Sequence, residues 1–362
     1  MRLFKKSAPS YNLTIDGTDY EAPVRKGQTI LDAAIAADIR FPNMCAVGEC
    51  GTCRCQVTEG QVKLKRDISR HIPIDEIREG HVLACQSVAL SELKVAVPGF
   101  GSDQALTSTA GSIQRLERLT HDIFQVRLQL DQPVAYVGGQ YASLSVPGNA
   151  ELETTPRHYS FASAFSAEGT HTPTFFIRHV PGGEFTGWLF AEDRTGESIQ
   201  LMGPYGDFHY RESERPIVCF AGGSGLAPIK ALLQQMQADG QCRPVTLFFG
   251  ARREEDLYWQ EGLQQMAAEW PESFRYIPVL SEETEESPWT GRRGFITEHL
   301  AAEVEDLGAC DSYLCGPPPM LDAIIPLLGA EIPEERIHFD KFLDKGALAA
   351  LEDSTADVAE AA

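Results

Sequence analysis

The 362-residue sequence contains no run of 18 or more apolar residues, so no helix is predicted to cross a membrane. Residues 1–7 are basic but lack the apolar stretch of a signal peptide, and we expect a cytoplasmic protein. Positive charge is scarce. The 31 Lys and Arg face 52 Asp and Glu, and the net charge of −21 argues against a nucleic-acid-binding protein. The H-E-x-x-H, P-loop and G-x-S-x-G motifs are also missing, so their enzyme classes are not expected.

Cysteine is not scarce, but its number and distribution argue against a disulfide framework. Nine cysteines are an odd number, in a long chain that is expected to be intracellular. Five of the nine fall between positions 45 and 85, whereas the others are scattered. This clustering predicts a metal site in the first hundred residues.

The clustered cysteines have the spacing C-x4-C-x2-C, with a fourth 32 positions later, which is typical of a plant-type [2Fe–2S] cluster. The predicted ligands are Cys45, Cys50, Cys53 and Cys85. Gly48 and Gly51 would let backbone amides approach the cluster sulfides closely. A structural zinc site is the alternative, but zinc modules usually have two close cysteine pairs and this chain has one. We expect Cys55 to lie in the core rather than to bind metal.

Three regions of the chain differ in pattern, which predicts a multidomain protein of α+β and α/β class. Residues 1–100 hold 13 Lys/Arg and 12 Asp/Glu, whereas the remainder holds 18 and 40 and carries the acidic excess. The predicted parts are a small α+β domain at 10–100, a linker at 98–109, an antiparallel β-barrel at 108–211, a doubly wound parallel sheet at 212–344, and a disordered acidic tail at 345–362.

The barrel region carries residues suited to a flavin. Arg157, Tyr159 and Ser160 form an R-x-Y-S run that supplies a cation, an aromatic face and a hydroxyl. Gly183 and Thr186 lie where a helix is expected to begin, which is typical of a phosphate site, although the glycines could also form an ordinary turn. Residues 203–208 are expected at the closure of the barrel, and a structural turn is the preferred interpretation.

The last region carries a glycine loop between a predicted strand at 217–220 and a helix, where a nucleotide phosphate would bind. The loop glycines are Gly222, Gly223 and Gly225. Its pattern is G-x-G-x-x-P, not the full G-x-G-x-x-G. Cys315 is predicted at the carboxyl end of another strand, where ligands of such sheets bind, although a buried core cysteine is the alternative.

These three motifs, in this order, resemble the ferredoxin-NAD(P)+ reductase-like electron-transfer components of bacterial oxygenases. The likeness covers residues 10–345 and is strongest to members of the xylene monooxygenase type. It is carried by the runs at 182–190, 193–196, 225–230, 248–252 and 278–283. The resemblance implies a β-grasp [2Fe–2S] ferredoxin domain, a β-barrel FAD domain and an NAD domain.

The resemblance also implies a role for each matching residue. Arg157 would hold a flavin phosphate, Tyr159 would pack on the flavin ring, and Ser160 would hydrogen-bond near its N5. Gly183 and Thr186 would contact the FAD pyrophosphate, and Gly222, Gly223 and Gly225 would form the NAD loop. Cys315 would lie near the nicotinamide. Phe342 would cover the other flavin face, with Phe339 as the competing candidate.

The choice of nucleotide depends on the residues after the second strand of the sheet. Arg252 and Arg253 could attract the 2′-phosphate of NADPH, but three acidic residues follow at once and would repel it. The run Gly-Ala-Arg also resembles NADH-using members of the family. We therefore expect NADH.

The expected activity is transfer of electrons from NADH through FAD and a [2Fe–2S] cluster to a terminal hydroxylase or oxygenase acting on an aromatic or other hydrocarbon. A membrane di-iron hydroxylase is the favoured partner, with a soluble di-iron or Rieske oxygenase as alternatives. The protein would be a cytoplasmic monomer, peripheral at the inner membrane through its partner. A stand-alone NADH diaphorase and a redox-sensing regulator remain as other hypotheses.

Overall fold

The structure is a computed structural model that describes residues 10–37, 39, 41–43, 48, 51, 53–69, 71–97, 107–163 and 168–342. The chain divides into two compact units, whose described residues lie within 10–97 and 107–342. Two predicted ligands, Cys45 and Cys50, and the predicted tail at 345–362 lie outside the described residues.

The first unit begins with the predicted hairpin, which is confirmed: β1 (Ser10–Ile15) pairs antiparallel with β2 (Glu21–Arg25). The predicted helix follows as α1 (Ile30–Ala36). Thr29 caps it, because its hydroxyl accepts from the backbone N–H of Asp32 while the Asp32 carboxylate accepts from the backbone of Thr29. The apolar face of α1 is buried in the core of this unit.

A five-stranded mixed sheet completes the first unit, in the order β2-β1-β7-β3-β5. Strands β1 and β7 are parallel and the other neighbours are antiparallel. A second small sheet pairs β4 with β6. The elements after α1 are β3 (Arg54–Glu59), β4 (Val62–Leu64), α2 (Ile74–Arg78), β5 (His81–Leu83), β6 (Ser87–Ala89) and β7 (Leu93–Ala96). This is the predicted β-grasp arrangement.

The second unit opens with a six-stranded antiparallel sheet in the order β11-β10-β13-β8-β9-β12. A bridge between Phe161 and Phe175 joins its two end strands and closes the barrel. The elements are β8 (Thr107–Arg118), β9 (Ile123–Leu130), β10 (Tyr141–Ser145), α3 (Ala150–Thr154), β11 (Arg157–Ser160), β12 (Thr174–Arg178), α4 (Glu184–Ala191) and β13 (Ser198–Tyr205).

Two predictions in this region are wrong in part. The expected linker at 98–109 ends earlier, because β8 begins at Thr107 and pairs with strands on both sides. The start of this strand is rich in Ser and Thr, a composition that is also typical of linkers, so it was not predicted as a strand. The expected turn at 203–208 is a strand as far as Tyr205. Gly203 allows this, since a Cβ there would lie 3.1 Å from the Cβ of Ala142 on the neighbouring strand.

The second half of the unit is the predicted parallel sheet, in the order β17-β16-β15-β14-β18-β19. Its elements are β14 (Ile217–Gly222), α5 (Leu226–Ala238), β15 (Val245–Ala251), α6 (Gln260–Glu269), β16 (Phe274–Leu280), β17 (Arg292–Arg293), α7 (Leu300–Glu303), β18 (Asp311–Gly316), α8 (Pro318–Gly329) and β19 (Ile337–Lys341). The chain order reverses between β14 and β18, which is where sheets of this kind bind ligands.

Separate apolar clusters pack around this sheet, one including side chains of α5 and α6 and the other including side chains of α8. Within the described part of the chain, no helix is both long and apolar enough to span a bilayer.

Candidate functional site

Two of the four predicted cluster ligands lie together in the first unit. Cys53 precedes β3, and Cys85 lies in a short 3-10 turn between β5 and β6. Their side chains are 2% and 3% exposed, and their sulfur atoms are 3.2 Å apart, farther than in a disulfide. The Cys85 backbone N–H donates to the Cys53 sulfur at 3.5 Å. Two buried thiols at this separation, with an amide directed at one of them, fit ligands of a single metal ion.

Cys55 lies two residues further along, on β3, and is fully buried in the core of the first unit. Burial, with a smaller contribution from Cys85, raises the pKa of its thiol far above the usual value. The other two predicted ligands are outside the described residues, so the structure places half of the predicted set.

The predicted flavin residues converge at one side of the barrel. Arg157 and Tyr159 lie on β11, and Gly183 caps the N-terminus of α4. An ion pair joins the two segments, because the Arg157 guanidinium donates to the Glu184 carboxylate at 2.6 Å. The Tyr159 ring packs against Phe185, with ring centres 5.3 Å apart, and burial raises the pKa of its hydroxyl.

The start of α4 is compact enough to serve as a phosphate site. A Cβ at Gly183 would lie 2.7 Å from the Thr186 hydroxyl oxygen, so glycine is required for this approach. The Thr186 hydroxyl accepts from the Val180 N–H at 3.1 Å and is buried, which fixes the loop against the helix. Together with the Arg157 cation, the N-terminus of α4 fits the phosphates of FAD. Ser160 is buried at the end of β11, opposite Tyr141.

The glycine loop leaves β14 as a 3-10 turn at Gly223–Gly225 and enters α5. Gly223 has a φ of +53°, which glycine adopts without strain. A Cβ at Gly225 would overlap the Cys315 carbonyl oxygen, and one at Gly222 would lie 2.8 Å from atoms of Pro317 and Met320. The loops after β14 and β18 therefore pack directly on each other at these glycines, and the loop leads into the N-terminus of α5, which is where sheets of this kind bind a nucleotide pyrophosphate.

Cys315 and Phe342 lie close to this loop. Cys315 is fully buried on β18, and burial, followed by Asp340, raises the pKa of its thiol well above the usual value. The Phe342 N–H donates to the Gly316 carbonyl at 3.1 Å, and its side chain packs on the cluster that contains Cys315. Phe339 packs instead on the separate cluster that contains Leu314. This difference favours Phe342 over Phe339 as the aromatic residue near the nucleotide site.

Arg252 follows β15 and is held by two carboxylates. Its guanidinium lies 3.2 Å from Asp122 of the barrel and 3.4 Å from Asp256. Asp122 also accepts from Arg178 at 2.9 Å. Burial alone would raise the pKa of Asp122, but the hydrogen bond and charge of Arg178 outweigh it and hold the pKa below its usual value. His121, Asp122 and Asp256 are close enough to suggest a metal site, but the two guanidiniums already neutralise them.

Three further residues, which no sequence motif marked, support the glycine loop or join α5 to the barrel. Arg178 approaches the loop, with its Nη1 3.8 Å from the position of a Cβ at Gly223. The buried Tyr258 hydroxyl donates to the Gly223 carbonyl at 2.9 Å. Lys230 is 7% exposed and donates to the Ala162 carbonyl at 2.5 Å, which joins α5 to the barrel. Each contact spans tens of residues in sequence, so no local motif marks it.

Family models match the chain in the same three parts. The 2Fe-2S iron-sulfur cluster binding domain matches residues 13–90, the oxidoreductase FAD-binding domain matches 110–210, and the oxidoreductase NAD-binding domain matches 220–325. The chain therefore uses a [2Fe–2S] cluster, FAD and NADH, and the geometry above fits each group where residues are described. The match to an iron–sulfur domain also argues against the zinc alternative.

Relatives extend over nearly the whole chain. The xylene/toluene monooxygenase electron transfer component of Pseudomonas putida is 37% identical over 93% of this chain and 95% of its own. The reductase component of propane 2-monooxygenase from Mycolicibacterium smegmatis is 32% identical over 92% and 98%. The crystal structure of an Amycolatopsis cytochrome P450 reductase matches with a TM-score of 0.70 and 31% identity, over 92% and 98% of the two chains.

With three cofactor domains in this order and identity maintained across their full length, the chain belongs to the family of NADH-dependent iron–sulfur flavoprotein reductases, the electron-transfer components that pass electrons from NADH through FAD and a [2Fe–2S] cluster to an oxygenase.

Proposed function

We propose that this protein is the reductase component of a monooxygenase that hydroxylates an aromatic hydrocarbon, and that it serves a membrane di-iron hydroxylase. The observation that carries the aromatic substrate is the 37% identity, over 93% of the chain, to a protein named as a xylene/toluene monooxygenase component, and the membrane di-iron partner is what the resemblance to xylene-type members implies. Other relatives serve propane 2-monooxygenase or are named as a cytochrome P450 reductase, so family membership alone does not select the partner.

We assign the cofactor domains to residues 10–100, 108–211 and 212–344. The proposed cluster ligands are Cys45, Cys50, Cys53 and Cys85. The proposed flavin residues are Arg157, Tyr159, Ser160, Gly183 and Thr186, and the proposed nucleotide residues are Gly222, Gly223, Gly225, Arg252, Cys315 and Phe342. The places where the described members of each set come together support the assignment. The cysteines form one pair of metal ligands, the flavin residues meet at the N-terminus of one helix, and the nucleotide residues meet at the switch point of the parallel sheet.

Bound FAD would supply the chemistry that couples the two-electron oxidation of NADH to the one-electron reduction of the cluster. The protein's task is to position these groups and to exclude water. Arg157 and the N-terminus of α4 would hold the flavin phosphates, with Glu184 fixing the guanidinium. Gly222 and Gly225 allow this loop to pack against the loop after β18, so the start of α5 would face the nucleotide phosphates, and the half-buried Phe342 would shield the site before the nucleotide enters.

An anaerobic titration of the purified protein with NADH tests the electron path. We expect the visible bands of flavin and cluster to bleach together, and an EPR sample at the end point to show the reduced [2Fe–2S] cluster. If only the flavin bleaches, the first unit is uncoupled and the stand-alone diaphorase hypothesis gains support. If NADPH reduces the protein and NADH does not, the assignment of the nucleotide is overturned.

The charge distribution supports a separate surface for the oxygenase. Residues 1–100 are nearly neutral, whereas the remainder of the chain carries the acidic excess. Lys63 on β4 and Lys65 directly after it are exposed, so an acidic partner would not be repelled there.

Reconstitution tests the partner. The reductase is mixed with membranes that contain a xylene-type di-iron hydroxylase, or with a soluble di-iron, Rieske or P450 oxygenase, and hydroxylated product is counted per NADH consumed. We expect tight coupling with the membrane enzyme, together with sedimentation of the otherwise monomeric reductase on those membranes. Coupling with one of the other oxygenases alone would overturn the choice of partner but leave the family assignment intact.

A further inference from the structure

Gln86 is a buried polar side chain beside the predicted metal site. It directly follows Cys85 in the 3-10 turn and is 5% exposed. Burying an amide costs free energy unless it finds a hydrogen-bond partner. Its Nε2 lies 3.5 Å from the Cys85 sulfur, within the range of a hydrogen bond to sulfur. The partner of this buried amide is therefore the sulfur of a predicted ligand.

The chemistry of the sulfur fixes which end of the amide faces it. A metal-bound cysteine is a thiolate, which accepts hydrogen bonds and has no proton to donate. The NH2 end of Gln86 must then point at Cys85, as the structure places it. The hydrogen bond is charge-assisted and directed at one ligand of one metal ion.

The rest of the side chain is fixed by the loop that carries the other cysteines. Gly48 has a φ of +85°, and a Cβ there would lie 2.6 Å from Cγ of Gln86. The aliphatic part of Gln86 therefore occupies the space that this glycine leaves open. Its backbone carbonyl is also fixed, because it accepts from the Lys65 N–H at 2.8 Å. An amide fixed at both ends has a defined direction, which a mobile surface glutamine lacks.

We propose that Gln86 is a positioning residue that raises the reduction potential of the [2Fe–2S] cluster by donating a hydrogen bond to the Cys85 sulfur. Reduction adds negative charge to the cluster and its thiolates, so a fixed donor stabilises the reduced form more than the oxidised form. The higher potential favours electron flow from the flavin toward the cluster. The proposal depends on the assignment of Cys85 as a ligand under the proposed function.

The test is a potentiometric titration of the holoprotein, followed by EPR, with Gln86→Leu compared with wild type. Leucine keeps much of the volume and removes the donor. Loss of the donor should lower the ratio of reduced to oxidised cluster at a fixed potential by roughly 3-fold to 10-fold. We therefore expect a midpoint lower by roughly 30–60 mV.

Gln56→Leu is the matched control. Gln56 is half-buried on β3 of the same unit and donates to the Glu79 carbonyl at 3.0 Å rather than to a sulfur, so its removal should leave the midpoint unchanged. Gln86→Glu is the second variant. Its carboxylate keeps the shape, cannot donate when ionised and adds negative charge, so the midpoint should fall further than in Gln86→Leu.

An unchanged or raised midpoint in both Gln86 variants, with the cluster present, would overturn the proposal. So would loss of the cluster from both variants while Gln56→Leu retains it, because Gln86 would then serve assembly rather than potential. Failure of the underlying assignment has a separate readout, since it would appear as a normal cluster in Cys85→Ala.

Discussion

The two units prepare their sites by different means. In the first unit, the described ligands are two buried cysteines that belong to a recognisable cysteine motif, and the structure brings the sulfur atoms of Cys53 and Cys85 to 3.2 Å. In the second unit, close backbone packing and ion pairs position the site. Gly225 packs against the backbone of Cys315, and Arg157 forms an ion pair with Glu184. The first site should therefore fail completely when one residue changes, whereas most changes in the second should be graded.

The largest expected effect is the loss of one cluster ligand. Cys85→Ala should abolish the visible and EPR signals of the cluster, because four thiolates are required and the remaining three leave one iron incomplete. NADH should still reduce the flavin, since the flavin and nucleotide residues belong to the other unit. Stopped-flow absorption after mixing with NADH measures both properties in one experiment.

Cys55→Ala is the control for that variant. Its thiol is also buried on β3, so it costs packing in the same core, but we expect the cluster bands to remain. If Cys55→Ala loses the cluster and Cys85→Ala keeps it, the ligand assignment is wrong.

The next largest effect is expected at the point where two loops of the second unit meet. Gly225→Ala places a Cβ against the backbone carbonyl oxygen of Cys315, and neither backbone can move without displacing the other. A displacement of about 1 Å in a reacting geometry costs about 100-fold in rate, so kcat/KM for NADH should fall by that order while FAD stays bound. Flavin fluorescence after protein denaturation measures the bound FAD.

Gly329→Ala provides the comparison, since a Cβ at the end of α8 meets nothing within 4 Å. Steady-state kinetics should be unchanged in this variant. Equal losses in both glycine variants would mean that the loop contact has no special role.

The same contrast explains how much the sequence could predict. The cysteine spacing identified the metal site because thiolate ligands must be specific side chains, and the glycine loop was found because its strand and helix are adjacent in the chain. The partners of Arg157, Arg252 and Lys230 could not be predicted, because Glu184, Asp122 and Ala162 are 27 to 130 positions away. Strand β8 was missed at its start because most residues there are Ser, Thr or Gly, which also occur in linkers.

Lys230 offers a test that uses pH. The ammonium donates to the carbonyl of Ala162 and to the side chain of Gln234, and it lies 4.5 Å from the Trp259 ring centre. Burial lowers its pKa to about 8. Because an unfolded chain has a lysine pKa near 10.4, burying the charge reduces stability below pH 8, and this cost disappears as the pH rises from 8 toward 10.4.

The free energy of unfolding of wild type, relative to Lys230→Met, should therefore rise by about 2 kcal/mol between pH 7.5 and 9.5. Tryptophan fluorescence during urea unfolding is a suitable measurement, because all four tryptophans lie in the second unit, namely Trp188, Trp259, Trp270 and Trp289. The control is Lys63→Met, whose exposed side chain should give the same pH dependence as wild type. A difference between wild type and Lys230→Met that does not change with pH would contradict the buried charge.

The smallest expected effect concerns the choice between NADH and NADPH. Asp256→Asn removes one of the two charges that balance Arg252, while the amide oxygen can still accept from the Arg253 N–H and keep the turn. Because the pair is partly exposed, the change is worth under about 1 kcal/mol. We expect kcat/KM for NADPH to rise about 3-fold to 5-fold at low salt, with kcat/KM for NADH changed less than about 2-fold.

Glu255→Gln is the control, because it removes an exposed charge of the same sign from the same turn, and it should raise kcat/KM for NADPH less. If both nucleotides respond equally to Asp256→Asn, Arg252 acts on the common part of the nucleotide, and the paired carboxylates do not determine specificity.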